Sequence, residues 1–376
     1  LTPQAERYCP ACIAEDGSKA EWKVRLIWGF RHVVRCDRHS VWLVATPNDG
    51  VTNLREGIGT AVLDRTVASD DETPMYVSWL KSRLNGAGCA REAWLDGQTL
   101  EQVLAASEML GAILEHGHKV ALNKLSPAQV EVATEIGFSI YKDGAQAAEE
   151  ALDMIRERSP AKAVQAGPLA YYGNLFDWLE RRSNRIDPGP IRDLLRNHIV
   201  KHSAVEPGTK VLGVEIVERR CHTIHSLSEA MKIDRYRLSR LLRKLGQIPK
   251  HATELEIGNI AFEVDKVVPL IDAFSTAIRL HDVADYLGAS LRQVEVLYRA
   301  GVLKPLVPRD ERGAVRNVVF GRAHLDGVLR KIADLPVLDE KCREGFHRIS
   351  YACQRGAGRF EDIFADFLEG HIPAFR

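Results

Sequence analysis

The stretch Ile278–Leu303, IRLHDVADYLGASLRQVEVLYRAGVL, decides the fold class of this chain. A helix-turn-helix needs a small residue where its helices cross, a residue tolerant of positive φ in the turn, and apolar residues on the inner face of the second helix. Ala284, Gly288, and then Val294 and Leu297 supply these at the expected offsets. Ser290 is placed to cap the second helix and Ala300–Gly301 to end it. Arg292, Gln293 and Arg299 are then available to face a DNA groove.

Downstream, RDERGAVRNVVF reads as a β-hairpin wing carrying Arg309, Arg312 and Arg316, and GRAHLDGVLRKI as a closing helix. Helix-turn-helix, wing, helix resembles the winged-helix domain of MerR-type and excisionase-type proteins. A second unit precedes it: SLSEAMKIDRYRLSRLLRKLG, Ser226 to Gly246. Here Ser226 is read as the cap, Ala230 as the helix crossing, and Asp234 as the turn and next cap. Leu238, Leu241 and Leu242 face inward. Arg235, Tyr236, Arg237, Ser239, Arg240, Arg243 and Lys244 decorate the other faces, a composition suited to phosphate and base-edge contacts. The second helix starts sooner after Ala230 than usual. The competing readings are a solvated basic helix for this unit and a protein-docking module for the other. Two DNA-reading units in tandem imply an extended footprint and strongly salt-dependent affinity.

At the other end, C-P-A-C and C-D-R-H place Cys9, Cys12, Cys36 and His39 in two knuckles, each with two residues between its ligands. Two knuckles complete a tetrahedron of three thiolates and an imidazole, the donor set of structural zinc. With four protein ligands no position is left for a reacting water, so the site is read as structural, with one Zn2+. Trp22, Trp28 and Phe30 lie between the knuckles and are expected to cover the small core there. Such a module buries too little apolar surface to fold well alone, so metal binding would supply folding free energy. Arg31, His32, Arg35 and Arg38 crowd the second knuckle, either to meet phosphate or to keep the Cys36 thiolate ionised.

The 376 residues have zero net charge, which taken alone argues against a nucleic-acid partner. Its distribution argues the other way: Arg219–Lys250 holds nine Lys or Arg against two acids, while Glu149–Glu157 is acidic. No secretory signal and no apolar run long enough for a membrane span is present, and the cysteines show no disulfide framework, which fits a reducing cytoplasm. A phosphate-loop motif is missing, and the acidic residues form no recognisable two-metal nuclease arrangement, so the chain reads as a binder and not an enzyme.

The middle reads as nearly all helix. Pro47–Asp71 is a polar stretch with a short helix at most. Pro74 opens a helix with Tyr76, Trp79, Leu80 and Leu84; Thr99 and Ser126–Pro127 start two more. Further helices fit Gly144–Arg158, Leu175–Glu180 and Pro190–His202. Short β-prone runs fall near Val24–Trp28, Val33–Val34, Ile260–Val264 and Val315–Phe320. The fold class is therefore mainly α: a zinc-knuckle module (1–50), a helical domain (51–215), a helix-turn-helix domain (216–272), a winged helix-turn-helix domain (273–335) and a helical tail (336–376). His198 and His202 are four apart on one helix, a metal-pair spacing, but with no third ligand nearby in sequence a solvated face is the stronger reading. Cys221, His222 and His225 are similarly weak, and Cys342, His347 and Cys353 lack knuckle spacing.

RYCPACIAEDG … W … CDRH is similar to the zinc motif of the TniQ/TnsD family of transposition target-selection proteins. EIGFSIYKDGAQAAEEAL, LAYYGNLFDWLERR and PIRDLLRNHIVKH, followed by the Arg-rich helix-turn-helix, also resemble that family, over roughly Arg7 to Gly246. The resemblance implies a bacterial protein, cytoplasmic and nucleoid-associated when on DNA. It would bind double-stranded target DNA and recruit a AAA+ ATPase, which engages a DDE transposase or integrase; homodimerisation is left open. It carries the zinc ligands onto Cys9, Cys12, Cys36 and His39. Relatives usually have a helical segment upstream of the zinc motif, placed to meet the ATPase, where here about six residues precede Arg7. Many also have a second C-x-x-C after the histidine; VWLVATPNDG stands there instead, so one zinc is expected. Some relatives dock on an RNA-guided complex, for which two DNA-reading units would be superfluous. The alternative from another class is a tandem helix-turn-helix transcription regulator with a structural zinc.

Overall fold

The computed structural model describes residues 7–46, 54–58, 72–86, 93–161, 166–182, 187–307, 318–338 and 345–376. The chain divides into two compact units, Leu1–Glu218 and Arg219–Arg376. The described residues are mainly helical, with strands of two residues each.

In the first unit, Arg7–Tyr8 (β1) leads into helix Pro10–Glu15 (α1), and β1 pairs antiparallel with Val44–Ala45 (β2). That pairing closes the segment carrying the two knuckles on itself. Trp28 is buried there with Tyr8, Ile13 and Val41, and Trp22 packs alongside. Phe30 turns instead toward the helical core. The β-prone run at Val24–Trp28 forms no strand; Leu26–Gly29 is a 3-10 turn, with Val24 and Leu26 exposed. A short helix follows at Leu54–Ile58 (α2).

The helical region comprises Met75–Leu84 (α3), Ala93–Asp96 (α4), Leu100–His116 (α5), Pro127–Tyr141 (α6), Ala145–Arg158 (α7), Pro168–Tyr172 (α8), Asn174–Asp177 (α9) and Ile191–His202 (α10). Thr99 and Ser126 start α5 and α6 with full capping boxes, each answered by a glutamine three residues on. These two helices cross with almost no gap. A Cβ built on Gly111 would lie 1.8 Å from the Ala133 carbonyl oxygen, and one on Gly137 1.8 Å from that of Ser107. Only glycine permits that approach. Phe138, Tyr141, Leu104, Leu110 and Trp79 fill the core around the crossing. Gly173, at φ +52°, turns α8 into α9 against the His118 backbone. The expected helix Leu175–Glu180 is there within a longer helical run, which changes from α winding at Asn174–Asp177 to π winding at Trp178–Arg182. Lys210–Val211 (β3) and Val214–Glu215 (β4) form a small hairpin at the end of the unit.

The second unit contains the same motif twice. Cys221–His222 (β5), Ile224–Met231 (α11), Arg235–Lys244 (α12) and a short helix Glu254–Gly258 (α13) lead to Phe262–Glu263 (β6), which pairs back on β5 and runs into Val264–Ser275 (α14). Ile278–Arg279 (β7), Leu280–Leu287 (α15) and Leu291–Arg299 (α16) lead to Val319–Phe320 (β8), which pairs back on β7 and runs into Arg322–Ala333 (α17). Phe262 and Phe320 occupy matching buried places in the return strands. Inward positions of the first repeat lie 56 residues before those of the second: Leu227 before Val283, Ser228 before Ala284, Leu238 before Val294, Leu241 before Leu297.

That register corrects the reading of the first repeat. Thr223, not Ser226, caps α11, and Ser226 is the third residue of its capping box. Ala230 is exposed; Ser228 stands at the crossing, its hydroxyl donating to the Ile233 carbonyl at 2.7 Å. With Ser228 at the crossing, two residues before Ala230, the second helix starts seven residues on, as it does after Ala284 in the second repeat. Lys232 takes the left-handed turn at φ 53°, where the second repeat has Gly288 at 65°. Ile349–Gln354 (α18) and Phe360–Glu369 (α19) complete the chain; Phe360, Phe364 and Leu368 pack on the core of the second repeat.

Candidate metal centre and nucleic-acid face

The two knuckles of the first unit bring their four side chains together. Cys12 Sγ lies 3.6 Å from Cys36 Sγ and 3.3 Å from His39 Nδ1; Cys9 and Cys36 Sγ lie 3.7 and 3.6 Å from that nitrogen. A tetrahedron with bonds of about 2.3 Å to sulfur and about 2.0 Å to nitrogen has edges of about 3.5 to 3.8 Å. The four atoms therefore already stand at the corners such an ion requires, and the cluster could hold a metal. The Cys12 backbone N–H donates to Cys9 Sγ at 3.5 Å, and the left-handed Ser40 bends the second knuckle.

All three thiols are buried, and their chemistry asks for a cation. The Cys9 thiol, donating to the Cys36 sulfur, is pushed well up, and burial with the nearby Cys36 charge pushes Cys12 up to about 11. Cys36, accepting from Cys9, is drawn down to about 5. One sulfur ionises more readily than the other two, and a cation among the three would favour the thiolate form of all of them. Around the ligands, His39 Nε2 meets Glu15 Oε1 at 2.8 Å, which leaves Nδ1 as the lone-pair side, and Arg38 bridges to the same carboxylate at 3.0 Å. Glu15 escaped the sequence reading, although it sits one helical turn after Cys12 on α1.

The other basic residues near the second knuckle are committed inside the fold. Arg31 grips both oxygens of the buried Glu108, and His32 Nε2 lies 3.1 Å from that carboxylate. Arg35 pairs with Glu131 at 2.9 Å and reaches the Glu72 carbonyl. These pairs fasten the ligand segment to α5 and α6; they leave Arg31, His32 and Arg35 engaged with carboxylates and not turned to phosphate.

In the second unit, Asp234 caps α12 by accepting from the Tyr236 and Arg237 backbone N–H groups, both at 3.1 Å. Arg235, Tyr236, Arg237 and Arg240 are exposed on that helix, with the Arg235 guanidinium 5.1 Å from the Tyr236 ring centre. Arg243 is half-buried and donates to the Ala252 carbonyl at 2.9 Å; Lys244 is half-buried. Ser239 does not belong on this face: it is buried and donates to the Arg235 carbonyl. On α16, Ser290 and Gln293 form the capping box, Arg292 is exposed, and Arg299 pairs with Glu295 at 3.6 Å. Arg309, Arg312 and Arg316 of the expected wing lie outside the described residues.

The other candidate ligands separate. Cys221 and His222 are buried, with His222 bonded to Ser226, and His225 is exposed; they form no cluster with each other among the described residues. Cys342 lies outside those residues, and Cys353 and His347 join no cluster within them. His198 is not on a solvated face: it is buried, beside His202 and Asp153.

Residues 1–43 match the TniQ family model. The TniQ segment thus includes all four candidate ligands and both knuckles, and it associates the chain with Tn7-like transposition. No curated protein and no solved structure matches the chain. No helix among the described residues is long and apolar enough to cross a membrane.

Proposed function

We propose that this protein is a target-site selection factor of a Tn7-like or Tn5053-like transposition system. It binds double-stranded target DNA through its two helix-turn-helix repeats and recruits a AAA+ ATPase, which brings in a DDE transposase. The observation that carries this reading is the joining, in one chain, of a TniQ segment built on a Cys3His cluster with two repeats that each expose basic side chains on their second helix. One zinc ion, held by Cys9, Cys12, Cys36 and His39, fixes the fold of the segment and does no chemistry of its own. Arg235, Tyr236, Arg237 and Arg240 of the first repeat make the principal DNA contacts, with Arg292 and Arg299 adding those of the second. Cutting and ATP hydrolysis belong to the partners, and the protein works in the bacterial cytoplasm at the nucleoid.

The test is reconstitution. Insertions made by the cognate ATPase and transposase on a plasmid carrying candidate target DNA are mapped with and without this protein. Clustering of insertions at a fixed distance from one sequence, dependent on the protein, is expected. An insertion pattern unchanged by its addition overturns the proposal.

A further inference from the structure

His198 and His202 project from one face of α10, their ring centres 4.4 Å apart, and the missing third ligand comes from another helix. Asp153, on α7, places Oδ1 2.9 Å from His198 Nε2 and 3.5 Å from His202 Nε2. One ligand atom from each residue lies within 4.8 Å of the other two. A zinc-like ion about 2.1 Å from each donor would set the donors roughly 3 to 3.6 Å apart, so small side-chain rotations suffice.

The arrangement has features that internal hydrogen bonding alone does not explain. His202 Nε2 is buried and makes no hydrogen bond, although the Asp153 carboxylate stands beside it. Neither tautomer finds a well-formed partner there: an N–H would have its nearest carboxylate oxygen at 3.5 Å without forming a hydrogen bond, and a lone pair would face that negative oxygen. His198 is held the way a ligand is held: its Nδ1 lies 2.8 Å from the Tyr172 hydroxyl, a partner that can fix the ring with Nε2 facing the centre. Asp153 is half-exposed, which leaves the outer side open to water. Two cations flank the group, Lys201 and Arg156, whose guanidinium donates to the His202 carbonyl at 3.3 Å. They lower cation affinity, so the site should be weaker than the thiolate centre.

We propose that Asp153, His198 and His202 form a second metal site, for a divalent ion of the zinc, cobalt, nickel or copper class, that clamps α7 to α10. Two imidazoles with one carboxylate select this class over magnesium and calcium, which take oxygen ligands. The remaining coordination positions are filled by water.

The experiment is a cobalt titration of the full-length protein, because the two centres differ in spectrum. Cobalt among thiolates shows an intense sulfur-to-metal charge-transfer band; a nitrogen–oxygen site shows only weaker visible bands. A second equivalent that adds visible absorbance without charge transfer is expected, and Asp153→Asn and His202→Gln should each weaken it at least tenfold. Both positions are partly exposed, and matching far-ultraviolet dichroism would establish that the variants fold. A wild-type chain that takes up no second equivalent overturns the proposal, as does a second equivalent that both variants bind as tightly as wild type.

Discussion

Reversing the charge of Arg237 and Arg240 together is the sharpest perturbation of the proposed DNA face. Both are exposed on α12, and neither guanidinium bonds another described residue, so the double change to glutamate leaves the folded unit intact. Surface changes of this kind usually move stability by no more than about 0.5 kcal/mol. Their effect on binding follows from counterion release. Each neutralised phosphate contributes about 0.9 to the slope of log K against log salt, so near 0.15 M salt it is worth roughly 1 kcal/mol. Losing two contacts costs about 2 kcal/mol, or roughly 30-fold in Kd, and repulsion from the new carboxylates adds to that. Fluorescence anisotropy with a labelled duplex, repeated from about 50 to 300 mM salt, reads both quantities. The slope should fall by about 2 and the affinity by at least 30-fold at the middle of the range. An unchanged slope with unchanged affinity would refute the reasoning and reassign α12 to protein docking.

Three more outcomes follow from the first unit and its comparison with the second. Gly137→Ala forces a Cβ to within 1.8 Å of the Ser107 carbonyl oxygen and should destabilise the first unit by about 3 kcal/mol or more, a melting drop of several degrees. Gly327→Ala, inside α17 with nothing within 4 Å of its Cβ, should be neutral or slightly stabilising, and equal melting shifts for the two would contradict the helix-crossing account. Cys12→Ser, or prolonged chelation, should remove the bound zinc and loosen the segment from β1 to β2, read as metal content and as new protease cleavage there; full metal content in the variant would count against the ligand assignment. Burial holds His32, His198 and His202 below the ordinary histidine range, so the unfolded chain binds more protons than the folded one as pH falls. The stability tied to keeping them neutral is full above about pH 6.5 and lost as pH falls below it, for His202 down to about 4, so urea midpoints should drop between pH 7 and 5, and a flat profile would argue against neutral buried imidazoles.

Much of the architecture was legible because it rests on local rules. Knuckle spacing picked out the four side chains that the structure gathers into one cluster; caps at Thr99 and Ser126 and the apolar spacing of Val294 and Leu297 found helices that the structure contains. The misreadings came where a side chain's partner is remote. Arg31, His32 and Arg35 read as a phosphate-facing cluster, yet their carboxylates, Glu108 and Glu131, lie 76 to 96 residues away on α5 and α6. Asp153 sits on a different helix from His198 and His202, so no local spacing could reveal it. In the first repeat a serine fills the crossing and a lysine adopts the left-handed turn, two roles usually signalled by alanine and glycine; the register was recoverable only by aligning the repeat with its neighbour. Composition suggests an outward Ser239, but it lies three residues before the buried Leu242, so the helical period sets it at the edge of the buried face.

The most direct test of the proposal that the two helix-turn-helix repeats read DNA is selection of bound fragments from a random duplex pool by the purified full-length protein at near-physiological salt. An enriched motif longer than about one helical turn, about 10 base pairs, is the result this account predicts, since two recognition helices must each contribute. A pool that emerges without enrichment, from protein shown to carry its zinc, would contradict direct reading of the target.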